Sequence, residues 1–242
     1  MSRIRFFLFL SVMCAAQIVT AQITAGKISY ERKTNLYKKF KDETWDYKQW
    51  IKEQDKLKVD SFELLFNDTL SAFKPIESEL KENLSWTINK NSVYHDFHSG
   101  SRYMIKRIWG EEVHLKDTLY KRKWKITGST RSICGFNCRK AVWMVNDSTR
   151  IYAWYSNEII PSVGPESFYG LPGAILGLAN EDGGVIYFAR TVDATRPEAS
   201  ALIAPKTKRK VYSSEELKKE LEQQYGDEKW GKTMIKNVFS YW

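Results

Sequence analysis

The sequence predicts a mainly β protein: a curved, half-barrel-like antiparallel meander with a short helical insertion and C-terminal helices. Three observations lead there. Short runs of alternating apolar and polar residues recur along most of the chain, separated by turn residues. Nine Trp, thirteen Tyr and twelve Phe in 242 residues suit pleated, half-buried surfaces and exclude a disordered chain. Helical signals are confined to one early segment and the C-terminal end.

The first strand pattern sets Ile28, Tyr30 and Arg32 against Ser29, Glu31 and Lys33. Asp42 to Lys56 breaks the period of two and reads as a short amphipathic helix or irregular excursion. Strand patterns then return at Phe62–Phe66, Leu70–Phe73, Ser92–Phe97, Tyr103–Trp109, Val113–Lys116 and Leu119–Trp124. Asn67-Asp68, Ser99-Gly100 and Trp109-Gly110 supply turns between them. Trp124–Ile133, Cys138–Val145 and Thr149–Tyr155 continue the series, and Ile175–Ala179 with Val185–Thr191 forms a last hairpin. Ser213 with Glu216 three residues on is a capping box, predicting a helix to about Tyr225. A second short helix fits Asp227–Val238. These patterns divide the chain into a β-rich domain over 22–195 and a basic connector with helices over 196–242.

Residues 1–21 read as a secretory signal peptide. Arg3 and Arg5 precede an apolar core over Phe6–Ala16, and Val19-Thr20-Ala21 is a small-residue cleavage site. The run is shorter than the roughly 20 residues needed to span a bilayer. Cys14 follows Ser11-Val12-Met13, a poor lipobox because Met is bulky. Cleavage after Ala21 predicts an exported chain in the periplasm, at the outer-membrane periphery or outside the cell. The formal charge of +9 falls to +7 when Arg3 and Arg5 leave. Export argues against nucleic acid as a partner for this basic chain, and lipid headgroups or lipopolysaccharide phosphates fit better.

Gly164 to Leu178 holds four glycines and two prolines around an apolar run, with Gly170-Leu171-Pro172-Gly173 at its centre. With Trp124-Lys125-Ile126, Gly135 to Ala141 and Tyr152-Ala153-Trp154-Tyr155, it resembles the GLPGLI family of Bacteroidetes envelope proteins. Ala174 stands where that family usually has leucine. The resemblance implies an envelope address and an architecture, and no biochemical activity. The residues themselves allow two roles for the loop. In one, Pro172, Gly170 and Gly173 fix a tight turn that Leu171 anchors in the core. In the other, the loop closes the mouth of an apolar cavity whose entrance is lined by Trp154, Tyr155, Phe168, Tyr169 and Leu171.

No catalytic constellation assembles from the sequence. There is no Gly-x-Ser-x-Gly elbow, and no nucleotide loop or other cofactor motif. His95 and His98 would fall on opposite faces of a strand, so no metal is expected. Cys134 and Cys138 leave a disulfide and buried free thiols both open; the family pattern carries one cysteine, at the place of Cys138. The resemblance to Bacteroidetes proteins also implies O-glycosylation at Asp-Ser/Thr sites, here Thr69, Thr118 and Ser148. The expected function is non-catalytic binding of an apolar or amphiphilic ligand, or of an outer-membrane partner. The alternative is a secreted hydrolase with its site beneath the Gly170–Gly173 loop.

Overall fold

The computed structural model describes residues 22–41, 51–77, 87–147 and 149–240. The expected signal segment, Ser148 and most of the expected helical insertion lie outside these residues. The described end of that insertion holds a 3-10 turn at Glu53–Asp55.

Twelve strands form one open sheet, antiparallel except at one edge. β1 (Gly26–Asn35), followed by the one-turn helix α1 (Leu36–Lys39), leads into β2 (Leu57–Phe66), β3 (Leu70–Pro75), β4 (Ser92–Asp96), β5 (Ser101–Ile108) and β6 (Glu111–Thr118). These six pair in sequence order, as expected for a meander. β7 (Lys125–Ile133), β8 (Phe136–Asn146), β9 (Thr149–Ser156), β10 (Ala174–Asn180) and β11 (Val185–Asp193) form a second series. That series begins at the far edge and works back until β11 pairs with the free side of β1.

The N-terminal strand is therefore central, and the meander is not continuous. The connection between the two series is Leu119–Trp124, which the alternation predicted to be a strand. It is a strap outside the sheet. An extended chain has the same period of two whether or not it finds a ladder partner, so the local pattern could not tell strap from strand. Register shifts in β1, β7, β8 and β10 mark bulges that bend the strands locally.

Alternation along β1 buries Ile28, Tyr30, Arg32 and Thr34 on one face. Their partners on β11, Ala189, Tyr187 and Val185, continue that face, as do Leu64, Phe62 and Asp60 on β2. Two helices cover part of it: α2 (Ser214–Tyr225) and α3 (Lys229–Val238). They set Leu217, Leu221, Ile235 and Val238 into the same apolar cluster as Met104, Ile108 and Leu115. Ser213 caps α2 through the full capping box with Glu216. The segment 196–210 is not wholly exposed, because Leu202 is buried against Leu65, Ala72 and Tyr94 on the opposite face. β12 (Val211–Tyr212) then adds to β6 in parallel.

Candidate functional site

The Gly-Leu-Pro-Gly loop lies over the buried face between β9 and β10. Gly173 has φ +132, and a Cβ there would meet the Ser156 carbonyl oxygen at 2.1 Å. Only glycine allows that approach. Gly170 is also left-handed, at φ +96, but nothing crowds it closer than 3.8 Å. Its N–H donates to Ser162 Oγ at 2.7 Å, and the Gly173 N–H donates to the Leu171 carbonyl at 2.7 Å, closing a tight turn about Pro172.

The Leu119–Trp124 strap clamps this loop. Arg122 donates to the Ser167 carbonyl at 2.8 Å and sits 4.4 Å from the Phe168 ring centroid. Trp124 Nε1 donates to the Tyr169 carbonyl at 3.0 Å, and Tyr169 Oη donates to the Tyr120 carbonyl at 2.5 Å. The strap thus supplies the loop with partners that the sheet cannot.

Beneath the loop lies a charged cluster whose Arg32, Asp60 and Glu166 are sealed from solvent. Arg32, only 1% exposed, donates to Asp60 Oδ2 at 3.0 Å and lies 3.7 Å from Glu166 Oε1. Tyr187 Oη donates to Glu166 Oε1 at 2.7 Å, Asn91 reaches Glu166 Oε2 at 3.5 Å, and Lys90 approaches Asp60 Oδ1 at 3.3 Å. Arg32 also caps the Asn89 carbonyl at 2.9 Å and stacks 4.7 Å from the Phe62 centroid. Burial pushes the Glu166 carboxyl above its usual range, while Arg32 and the Tyr187 hydroxyl draw it back. Burial opposes the Arg32 charge, but Tyr187, Glu166 and Asp60 outweigh it and hold the guanidinium above its usual value. Lys106, on the same face, donates to the Val238 carbonyl, and burial lowers its pKa to about 8. Glu166 adopts φ +53, an unusual backbone for a non-glycine residue.

No sequence motif marks this cluster. Its one sequence signal is Arg32, a charge on the apolar side of the β1 alternation. The other members join it from β2, the loop, β11 and the approach to β4, which no local pattern links.

The five residues expected to line a cavity mouth do not all meet in one place. Tyr155 and Trp154 are neighbours on β9 and point to opposite faces. Tyr155, Phe168 and Leu171 are at most 3% exposed and belong to the core. Tyr169 is buried as well, its ring 5.4 Å from His95 and 5.7 Å from Phe97. Trp154 faces the other way, with Arg131 4.7 Å and Lys140 5.6 Å from its centroid. The loop residues Gly170 to Gly173 do act together, as a turn.

His95 and His98 are apart in role: His95 is buried and shares a hydrogen bond with Ser71 at 3.1 Å, and His98 is exposed in the turn after β4. Desolvation by burial, helped by Arg102 and Arg122, lowers the His95 pKa to about 3. Cys134 and Cys138 are free thiols; Cys134 donates to the Ala189 carbonyl at 3.1 Å and Cys138 is fully buried. Thr69 and Thr118 are both exposed, Thr69 in the β2–β3 turn and Thr118 at the end of β6.

A groove of about 650 Å³ opens between α2 and α3. Ile235 and Phe239 form its apolar part, Lys218, Lys232 and Lys236 its cationic rim, and Glu222 and Asp227 add two carboxylates. Lys218 and Glu222 are 3.7 Å apart.

A family model described as a protein of unknown function (Porph_ging) matches residues 144–177, from the end of β8 through the loop into β10. No curated protein matches the chain. Among solved structures, PNGF-II in a C2 space group is similar with TM-score 0.53 and 17% identity, covering 87% of this chain and 32% of that one. PNGF-II in P21 gives 0.52 and 16%, covering 86% and 33%. This chain thus spans about a third of PNGF-II, and the likeness is one of fold. What the comparisons establish is a β-rich chain carrying, over its loop region, the mark of a domain of unknown function.

Proposed function

We propose that this is an exported, non-catalytic envelope protein of the GLPGLI type that binds an anionic amphiphile in the α2–α3 groove. The GLPGLI assignment is supported by the Gly170–Gly173 sequence and by the match of an unknown-function domain over the same stretch. The observation that carries the binding reading is the groove itself, where Lys218, Lys232 and Lys236 outnumber Glu222 and Asp227 beside the apolar Ile235 and Phe239. Apolar contact from the floor and charge from the rim suit one chain with one anionic head. Titration calorimetry with dodecyl phosphate tests this. Binding that weakens about tenfold or more in Lys236→Glu is expected; no heat of binding to the native protein overturns the reading.

The hydrolase alternative has one observation in its favour, the strained and buried Glu166 with its raised pKa. Against it, Arg32, Tyr187 and Asn91 already occupy the carboxylate, and Glu166 is 2% exposed. Loss of a measured hydrolytic activity in Glu166→Gln, with the fold retained, would restore it.

A further inference from the structure

The β5–β6 hairpin turns through Trp109 at φ +52 and Gly110 at φ +84. Asn or Gly adopts that first corner position readily, and a bulky aromatic does not. The indole is not placed there to reach the core, because Trp109 is 60% exposed. It stands instead with two other rings from separate elements. Tyr225 ends α2, and its centroid is 5.0 Å from that of Trp109. Trp230, in the first turn of α3, is 6.3 Å from Trp109, 5.4 Å from Tyr225, and 53% exposed.

The charges around this apex are mixed. Flanking it in the chain are Arg107, Lys229 and Lys232 as well as Glu112, Asp227 and Glu228, all exposed, and Glu111 is engaged by Arg209 at 3.0 Å. A balanced rim gives no long-range pull on a strongly acidic or basic macromolecule. Two exposed indoles on a hairpin tip and a helix end suit the boundary between lipid headgroups and acyl chains, where an apolar ring with a polar edge is favoured. The apex also adjoins the groove: Gly226 and Asp227, which line it, follow Tyr225 directly.

We infer that Trp109, Tyr225 and Trp230 form a bilayer-docking apex, a reading that rests on amphiphile binding in the groove and names the surface from which the ligand is drawn. Co-sedimentation with vesicles of equal parts phosphatidylcholine and phosphatidylglycerol tests it, together with fluorescence quenching by brominated phosphatidylcholine. The native protein should bind, with quenched emission. Trp109→Asn should weaken vesicle binding about tenfold without lowering the melting temperature, since Asn accepts the left-handed corner. Trp230→Asn, on an exposed helix surface, should do the same independently. Both variants should still bind dodecyl phosphate, whereas Lys236→Glu should lose that binding and keep the vesicles. Vesicle binding unchanged in the double variant overturns the proposal, as does absence of binding by the native protein. So does a melting loss in Trp109→Asn that matches its binding loss, or quenching by a soluble oligosaccharide in place of vesicles.

Discussion

Gly173 and Gly170 are both left-handed, yet their surroundings separate the two causes of glycine's necessity. At Gly170 a methyl group has room, so Gly170→Ala should cost about 1–2 kcal/mol from backbone conformation alone. At Gly173 the Ser156 carbonyl occupies the space a Cβ needs, and overlap adds to strain. Gly173→Val should therefore destabilise by more than about 3 kcal/mol, or prevent folding. Thermal melts of the two variants check the contrast; equal shifts would show that contact with Ser156 does not matter. The need for glycine was legible in the Gly-Leu-Pro-Gly sequence. Which glycine is irreplaceable was not, because the crowding oxygen lies on β9.

Between elements, the Arg32 cluster joins β1, β2, β11 and the loop. Its charges are buried, and an isolated buried charge is far costlier than a neutral core of the same volume. Arg32→Met leaves Asp60 and Glu166 without their shared cation and should cost about 3–5 kcal/mol in urea unfolding. Replacing all three, Arg32→Met with Asp60→Leu and Glu166→Leu, should recover most of that loss. If the triple variant is no more stable than the single one, the cluster does more than neutralise itself. The strap is a second joint of this kind. Arg122, Trp124 and Tyr120 fasten the loop from outside the sheet, which is why a segment with strand-like alternation forms no ladder.

Across the whole molecule, acid should act through His95. An unfolded histidine takes a proton near pH 6.5, but here only near about 3, because burial and nearby Arg102 and Arg122 disfavour the cation. Between those values the unfolded chain binds more protons, so stability rises with pH and falls on acidification. The contribution is on the order of 5 kcal/mol across that window. Glu166 works in the opposite sense: its raised pKa lets the fold hold a proton that the unfolded chain has lost, so its contribution declines as pH rises above the usual carboxylate range. His95→Phe should flatten the acid limb of a stability–pH profile measured by urea unfolding between about pH 4 and about pH 7. An unchanged limb would assign acid sensitivity to another group.

The sequence by itself determined the fold class, most strand positions, the capped helix α2 and the turn at Pro172. These depend on contacts within a few residues: the two-residue alternation of a pleated chain, the Ser213–Glu216 box, and the fixed φ of proline beside glycine. Only the tertiary structure decided that β1 is central, that Leu119–Trp124 is a strap, and that Trp154 and Tyr155 serve different faces of the molecule. It also decided that Tyr155, Phe168, Tyr169 and Leu171 fill the interior instead of lining an entrance. Alternation says which residues share a face, but not which strand lies beside it or what covers it. Those are set by pairings between segments far apart in the chain, such as Arg32 with Tyr187 and Ser167 with Arg122.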